Sequence, residues 1–443
     1  MTRILYSLSL VLVASLSKAQ SPLEQYVIQG LENNTVLKQK NISLQQAQLA
    51  LKQAGSLFFP SIDFQADYTF GSGGREIDIP IGDLLNGVYT TLNQLTQSSA
   101  FPQVENVNEE LNPYNFYNAR ISTSLPVYNL GLIKNRSIAK HQLSISNSQL
   151  EIYKRELIKE IKLAYYNYCK AYSATIIYQN SINLLKQNLE VVKSLEKNGS
   201  GLKSEVLRVS SELDRVQALL KNAEAQASRA AYYLNFLTNI DLNTAIKIEK
   251  DLSIPQLGIS TTVQQREELE MLKTGIKIDE ELLSLRRAYF LPQVGLFLDV
   301  GAQAFDFDYN QQAQYVFGGI NLKIPLFQGG ANIYKGRDAK LALKKRQLEY
   351  LDTERKLSMA VQIARDQLKT SRDQFQASQS AVRSAKAYYQ LVEKGFKQGL
   401  KPLVELIDAQ NHWLNAQVNQ NIALYELYIK EAELERETAS YNL

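Results

Sequence analysis

Between Gly131 and Gly199 the chain carries neither a glycine nor a proline. Those two residue types end helices, one through its conformational freedom and the other through its missing N–H and its ring. So long a stretch without either predicts one continuous helix, and at 1.5 Å per residue such a helix spans roughly 100 Å. The stretch from about 331 to 394 matches it. No globular domain needs helices of that length, so an elongated helical structure is expected. Residues 202–237 strengthen the point. Leu202, Val206, Val209, Leu213, Val216, Leu220, Ala223, Ala227, Ala230, Leu234 and Leu237 recur at alternating spacings of four and three. That is the seam of a coiled coil, and its small alanines let a neighbouring helix come close.

The chain also reads twice, with the same landmarks in the same order. Phe59-Pro60-Ser61-Ile62 resembles Leu291-Pro292-Gln293-Val294, and Leu125-Pro126-Val127-Tyr128-Asn129-Leu130-Gly131 resembles Ile324-Pro325-Leu326-Phe327-Gln328-Gly329-Gly330. Gly201-Leu202-Lys203 likewise resembles Gly399-Leu400-Lys401. A period of about 200 residues is too long for a solenoid and indicates a duplicated domain. The first repeat is placed at 20–240, with strands near 60–72 and 115–127, and the second at 241–443, with strands near 291–304 and 314–326.

The strand assignments rest on alternation, because successive side chains on a strand point to opposite faces. Ile62, Phe64, Ala66, Tyr68 and Phe70 share one face, while Ser61, Asp63, Gln65, Asp67 and Thr69 share the other. Ala119, Ile121, Thr123 and Leu125 oppose Asn118, Arg120, Ser122 and Ser124 in the same way. Val294, Leu296, Leu298 and Val300 form one apolar face in the second half, and Val316, Ile320, Leu322 and Ile324 another. Pro60 and Pro292 are expected to open strands, and Pro126 and Pro325 to close them. The polar segment from Gly71 to Pro113 reads as a long loop with a short helix near Leu84–Leu95, against a short counterpart at 305–312. Strands of about ten residues suit a membrane barrel or a soluble sandwich, and alternation alone leaves both open.

The N-terminus places the chain in the envelope. Arg3, the apolar run Ile4–Leu16 and the small residues Ser17 and Ala19 form a secretory signal peptide at 1–19, too short to span a bilayer as a helix. Beyond it no apolar run reaches the ~18 residues of a spanning helix, so membrane residence would require a β-barrel. A net charge of +4 gives no footprint for nucleic acid. His141, His412 and the lone Cys169 are far apart and fit no metal spacing, and no phosphate loop or dinucleotide fingerprint is present. No enzyme activity, metal or cofactor is expected.

Signal peptide, duplicated strand–strand–long-helix units and proline joints together resemble the TolC-like outer-membrane efflux proteins, or outer-membrane factors. The sharpest local match is Gly399-Leu400-Lys401-Pro402-Leu403-Val404-Glu405-Leu406-Ile407-Asp408-Ala409, similar to the family's second helical tip. The resemblance implies a mostly helical α+β fold, in which a trimeric membrane β-barrel with four strands per protomer continues as a periplasmic coiled-coil α-barrel. It implies a homotrimer acting as a passive exit duct, served by a periplasmic membrane-fusion adaptor and an inner-membrane RND or ABC transporter. On the matching positions, Glu405 and Asp408 correspond to an acidic ring at the periplasmic entrance. Lys401, Glu205 and Phe396 correspond to latch positions, although lysine lacks the bidentate fork of the family's arginine and Phe396 cannot make a tyrosine's hydrogen bond. Gly201, Leu202, Gly399 and Leu400 are expected to contact the adaptor. Ile62, Phe64, Tyr68, Leu296 and Leu298 are expected to face outer-membrane lipid. The competing reading is a secreted or periplasmic coiled-coil scaffold or adhesin, which would stay soluble without detergent.

Overall fold

The computed structural model describes residues 21–111, 114–249 and 266–441. The expected signal peptide lies outside them. In chain order the elements are α1 (Pro22–Asn33), α2 (Thr35–Ser56), β1 (Ser61–Thr69), β2 (Glu76–Ile79), α3 (Ile81–Thr96), β3 (Val107–Glu110) and β4 (Phe116–Tyr128). There follow α4 (Leu130–Lys197), α5 (Lys203–Thr238), α6 (Glu267–Arg287), β5 (Gln293–Phe305), β6 (Gln314–Lys323), α7 (Ala331–Lys397) and α8 (Leu403–Thr438). The uninterrupted stretch is one helix of 68 residues, and its counterpart has 67.

Two compact units arise, and neither is one of the sequence repeats. One takes the described residues of 1–48, 141–277 and 343–443, the other 49–140 and 278–342. The first unit is helical. Along the α5 seam Val209 and Val216 are wholly buried, and Ala223, Ala227, Leu234 and Leu237 are buried with them. The valines and leucines among them join two large apolar clusters. In one, Leu234 and Leu237 meet Leu157, Ile161, Tyr165, Tyr428 and Ile429. In the other, Val209 and Val216 meet Leu185, Val192, Tyr389, Leu403, Leu406 and Ile407. Asn34 separates α1 from α2. Its amide donates to the Leu237 carbonyl at 2.9 Å, and its side-chain oxygen accepts from the Leu37 N–H at 3.0 Å, capping the second helix.

The second unit carries a four-stranded antiparallel sheet in the order β1-β4-β5-β6. The register aligns the alternation across all four strands. Phe64, Ile121, Val300 and Val316 form one row, and Ile62, Thr123 and Leu298 lie in the next row on that face. The opposite face carries the polar pairings, with Phe116, Phe297, Phe305 and Phe317 among them. Arg120 donates to Gln65 at 2.8 Å, Tyr315 to Asn118 at 2.8 Å, and Ser122 to Asp299. Gly301 lies opposite Arg120, where a Cβ would meet the Ala119 carbonyl oxygen at 2.5 Å and the Arg120 Cβ at 2.8 Å.

Pro126 does not close its strand. β4 continues to Tyr128, and the register slips between Pro126 and Tyr128, because a residue without an N–H is tolerated at a bulge. Pro325 does lie beyond the end of β6. The long loop between β1 and β4 is more ordered than its polar composition suggests. It folds as a β2–β3 hairpin enclosing α3.

Candidate functional site at the helical tips

Each long helix turns into its partner through the same backbone device. Gly199 sits at φ +72° and Gly399 at φ +74°, in the left-handed region that costs residues with a Cβ about 1 kcal/mol or more. Gly199 N–H donates to the Glu196 carbonyl and Ser200 N–H to that of Leu195, both at 2.9 Å. Gly399 N–H donates to Phe396 and Leu400 N–H to Gly395, again both at 2.9 Å. These paired bonds are the Schellman motif, which satisfies the last carbonyls of α4 and α7.

This equivalence corrects the register read from sequence. Gly199, not Gly201, is the counterpart of Gly399. The string Gly-Leu-Lys matches by letters, whereas the turn is defined by which glycine adopts positive φ. Glu205 therefore corresponds to Glu405, Arg208 to Asp408, and Gly201 to Lys401.

The residues expected at the gate pair as follows within one protomer. Lys401 Nζ donates to the Glu405 carboxylate at 2.7 Å, one helical turn away. That hydrogen bond and charge raise the lysine's pKa. Arg208 on α5 donates to Asp408 on α8 at 3.3 Å. Further along α5, Arg215 donates to Asn411 of α8 at 3.0 Å. Glu205 serves its own helix by accepting from the Leu202 N–H at 3.2 Å, so within one protomer Lys401 pairs with Glu405 and not with Glu205. Phe396 packs against the cluster holding Leu403 and Leu406. Leu202 and Leu400 are 66% and 75% exposed, leaving an apolar side chain at each tip.

Sequence reasoning misses Arg208 because it groups Asp408 with Glu405 in an acidic ring and draws the partners of that ring from Lys401 and Glu205 alone. The signal that finds it is positional, since Arg208 occupies in the first hairpin the place of Asp408 in the second. Within a protomer, then, both acids carry a cationic partner.

Long helical hairpins together with a four-stranded sheet that has one apolar face fit the class of outer-membrane channel proteins, which the family match bears out. A family model described as outer membrane efflux protein matches residues 27–239 and 258–439. The chain belongs to that family, and is an outer-membrane protein of its transport class. The alkaline protease secretion protein AprF of Pseudomonas aeruginosa is 20% identical over 339 residues, spanning 72% of this chain and 69% of that one. Among solved structures, CusC has a TM-score of 0.78 at 14% identity, covering 94% of this chain and 92% of that one. The Campylobacter jejuni outer membrane channel CmeC has a TM-score of 0.76 at 19% identity, covering 94% and 85%.

Proposed function

We propose that three copies of this chain close one outer-membrane barrel, and that their long helices continue it as a passive exit duct. The tips meet a periplasmic adaptor, which belongs to an inner-membrane RND or ABC transporter of an efflux pump or a type I secretion system. The observation that carries the reading is the sheet. Its edge strands β1 and β6 have no partner strand among the described residues, and lipid offers no hydrogen bonds to bare edges. Four strands are too few to close a barrel with a pore, so pairing β6 of one protomer with β1 of the next is the natural closure.

The apolar face supports the same reading. Phe64, Ile121, Val300 and Val316 are 72%, 49%, 45% and 68% exposed in the single chain. Each such side chain forgoes about 1.5–3 kcal/mol when left in water. Ile62, Phe64, Tyr68, Leu296 and Leu298 accordingly face lipid, and the row of Asp63, Gln65 and Arg120 lines the channel. At the tips, Glu405 and Asp408 ring the periplasmic entrance, with Lys401 and Arg208 balancing them. The mature protein should run as a trimer in detergent by native mass measurement and should form conducting channels in bilayers. A stable monomer that needs no detergent would overturn the reading and favour a soluble scaffold.

A further inference from the structure

The segment between β1 and β4 holds a helix that, among the described residues, is fixed on one side only. Asn86 and Asn93, a heptad apart on α3, each clamp the returning backbone at two points. Asn86 donates to the Val104 carbonyl and accepts from the Val104 N–H, both at 2.8 Å. Asn93 donates to the Phe101 carbonyl at 2.7 Å and accepts from its N–H at 3.1 Å. Close packing completes this side, since a Cβ on Gly82 would meet the Val104 carbonyl oxygen at 2.4 Å. The helix is thus held in one orientation about its axis.

The opposite side is apolar and bare. Leu84, Val88 and Leu95 are 70%, 53% and 77% exposed. With Thr91 they recur at spacings of four, three and four, which is a coiled-coil seam. α3 has the sequence IGDLLNGVYTTLNQLT, whose sole charged residue is Asp83. A helix meant to stay solvated normally carries charge on its outer face, and one meant to lie on a bilayer surface is rich in Lys and Arg. α3 has neither, and identical copies of it can approach without like-charge repulsion.

Chain order gives the position. α2 precedes β1 and α4 follows β4, so both helices leave one end of the sheet. α3 lies in the connection between the other ends of those strands, the ends that meet the β5–β6 turn at 306–313. In a trimeric barrel, three copies of α3 would stand at the mouth opposite the strand ends to which α2 and α4 attach.

We propose that the Leu84/Val88/Leu95 stripe is a homotypic contact, through which the three α3 helices of the trimer pack together and narrow the outer mouth of the duct. The proposal rests on the trimeric reading above. Three side chains per protomer bury far less than the ~1,000 Å² of a self-sufficient interface. The contact therefore forms only where the barrel already holds the copies together, and it is weak enough to part for cargo.

The chain is suited to a cysteine test. Its only cysteine, Cys169, is buried, and burial pushes its thiol up to about 12, so it stays unreactive. Leu84→Cys and Val88→Cys proteins, purified as trimers, should give covalent dimers with a short bismaleimide or a mild oxidant. Thr90→Cys should not, because Thr90 faces the returning segment and accepts there from Gln103 at 3.2 Å. Oxidised Val88→Cys channels should conduct several-fold less, and recover on reduction. Intact trimers of Leu84→Cys and Val88→Cys that fail to cross-link, although both take up a monofunctional maleimide, would overturn the proposal and leave the duct reading standing. Quenching of a fluorophore at position 88 by brominated lipid would likewise overturn it, in favour of a membrane-lying helix. A monomer would overturn both readings.

Discussion

At the scale of single residues, the two tips solve one packing problem in opposite ways. In each turn, a residue of the last helical turn meets the residue two beyond the left-handed glycine. In the first tip the large member is Leu195 and the small one Gly201, whose Cβ would sit 3.0 Å from that of Leu195. In the second the small member is Gly395, whose Cβ would sit 2.7 Å from Lys401 Cγ. Glycine at 395 is thus what lets the Lys401 stem cross the turn and reach Glu405. Gly395→Ala should leave the hairpin folded, since alanine favours helix and a lysine stem can change rotamer, but it should displace Lys401 from its partner. Its channel should then behave as Lys401→Ala does, with a freed Glu405 and a stronger preference for cations. Neutralising both acids, Glu405→Gln with Asp408→Asn, should do the reverse, because Lys401 and Arg208 are left without their partners. Reversal potentials in bilayers under a salt gradient measure both shifts, and equal selectivity in all these channels would remove the four residues from the entrance. Lys401 was legible as a counter-charge to the acids, one helical turn from Glu405, whereas Arg208 was not. Letter similarity draws Gly201-Leu202-Lys203 onto Gly399-Leu400-Lys401, whereas the backbone equates the two glycines at positive φ.

Among the elements, legibility followed the strength of the periodic signal. The 68-residue and 67-residue helices announced themselves by the near absence of breakers, and the four sheet strands by alternation that the pairing register then brought into common rows. β2 and β3 gave too little signal, because Glu76–Ile79 and Val107–Glu110 are four residues each, too short for alternation to stand out. Pro126 misled for a different reason, since a bulge can hold a proline inside a strand. The row assignment makes a direct prediction for β1. Phe64→Arg puts a charge on the apolar face at mid-strand and should cost about 2–4 kcal/mol of barrel stability if that face meets lipid. Gln65→Arg, one residue away on the polar face beside Arg120, should be mild. Trimer yield and heat resistance on semi-native gels compare the two. Equal defects would contradict the orientation of the sheet.

For the whole molecule, each compact unit draws segments from both halves of the chain. Holding such an interleaved chain together demands contacts between remote segments, which no local pattern discloses. One such junction is ionic. Arg266, with 2% of its side chain exposed, donates to Glu268 at 2.8 Å and to the Glu437 carboxylate at 2.8 Å. Arg436 donates to Glu268 at 2.9 Å and to Glu156 of α4 at 3.1 Å. Residues remote in sequence thus meet where α4, α6 and α8 converge. Burial by itself works against the ionised form of Glu268, but the Arg266 hydrogen bond and charge, aided by Arg436, outweigh it and hold the carboxyl at about 2. A carboxylate whose folded pKa is depressed stabilises the fold above its ordinary range near pH 4–5, and loses that contribution as pH falls toward the folded value. A depression from about 4.5 to about 2 corresponds to roughly 3 kcal/mol. The detergent-solubilised protein should therefore hold its thermal stability from pH 7 to about 5, then lose it steeply between about 4.5 and 2. Glu268→Gln should be less stable than the parent at pH 7, because Arg266 and Arg436 lose a charged partner inside the protein. It should also show a shallower acid decline, having no carboxylate at that position to protonate. Parallel melting curves for the two proteins across that range would show that the junction contributes nothing to the acid response.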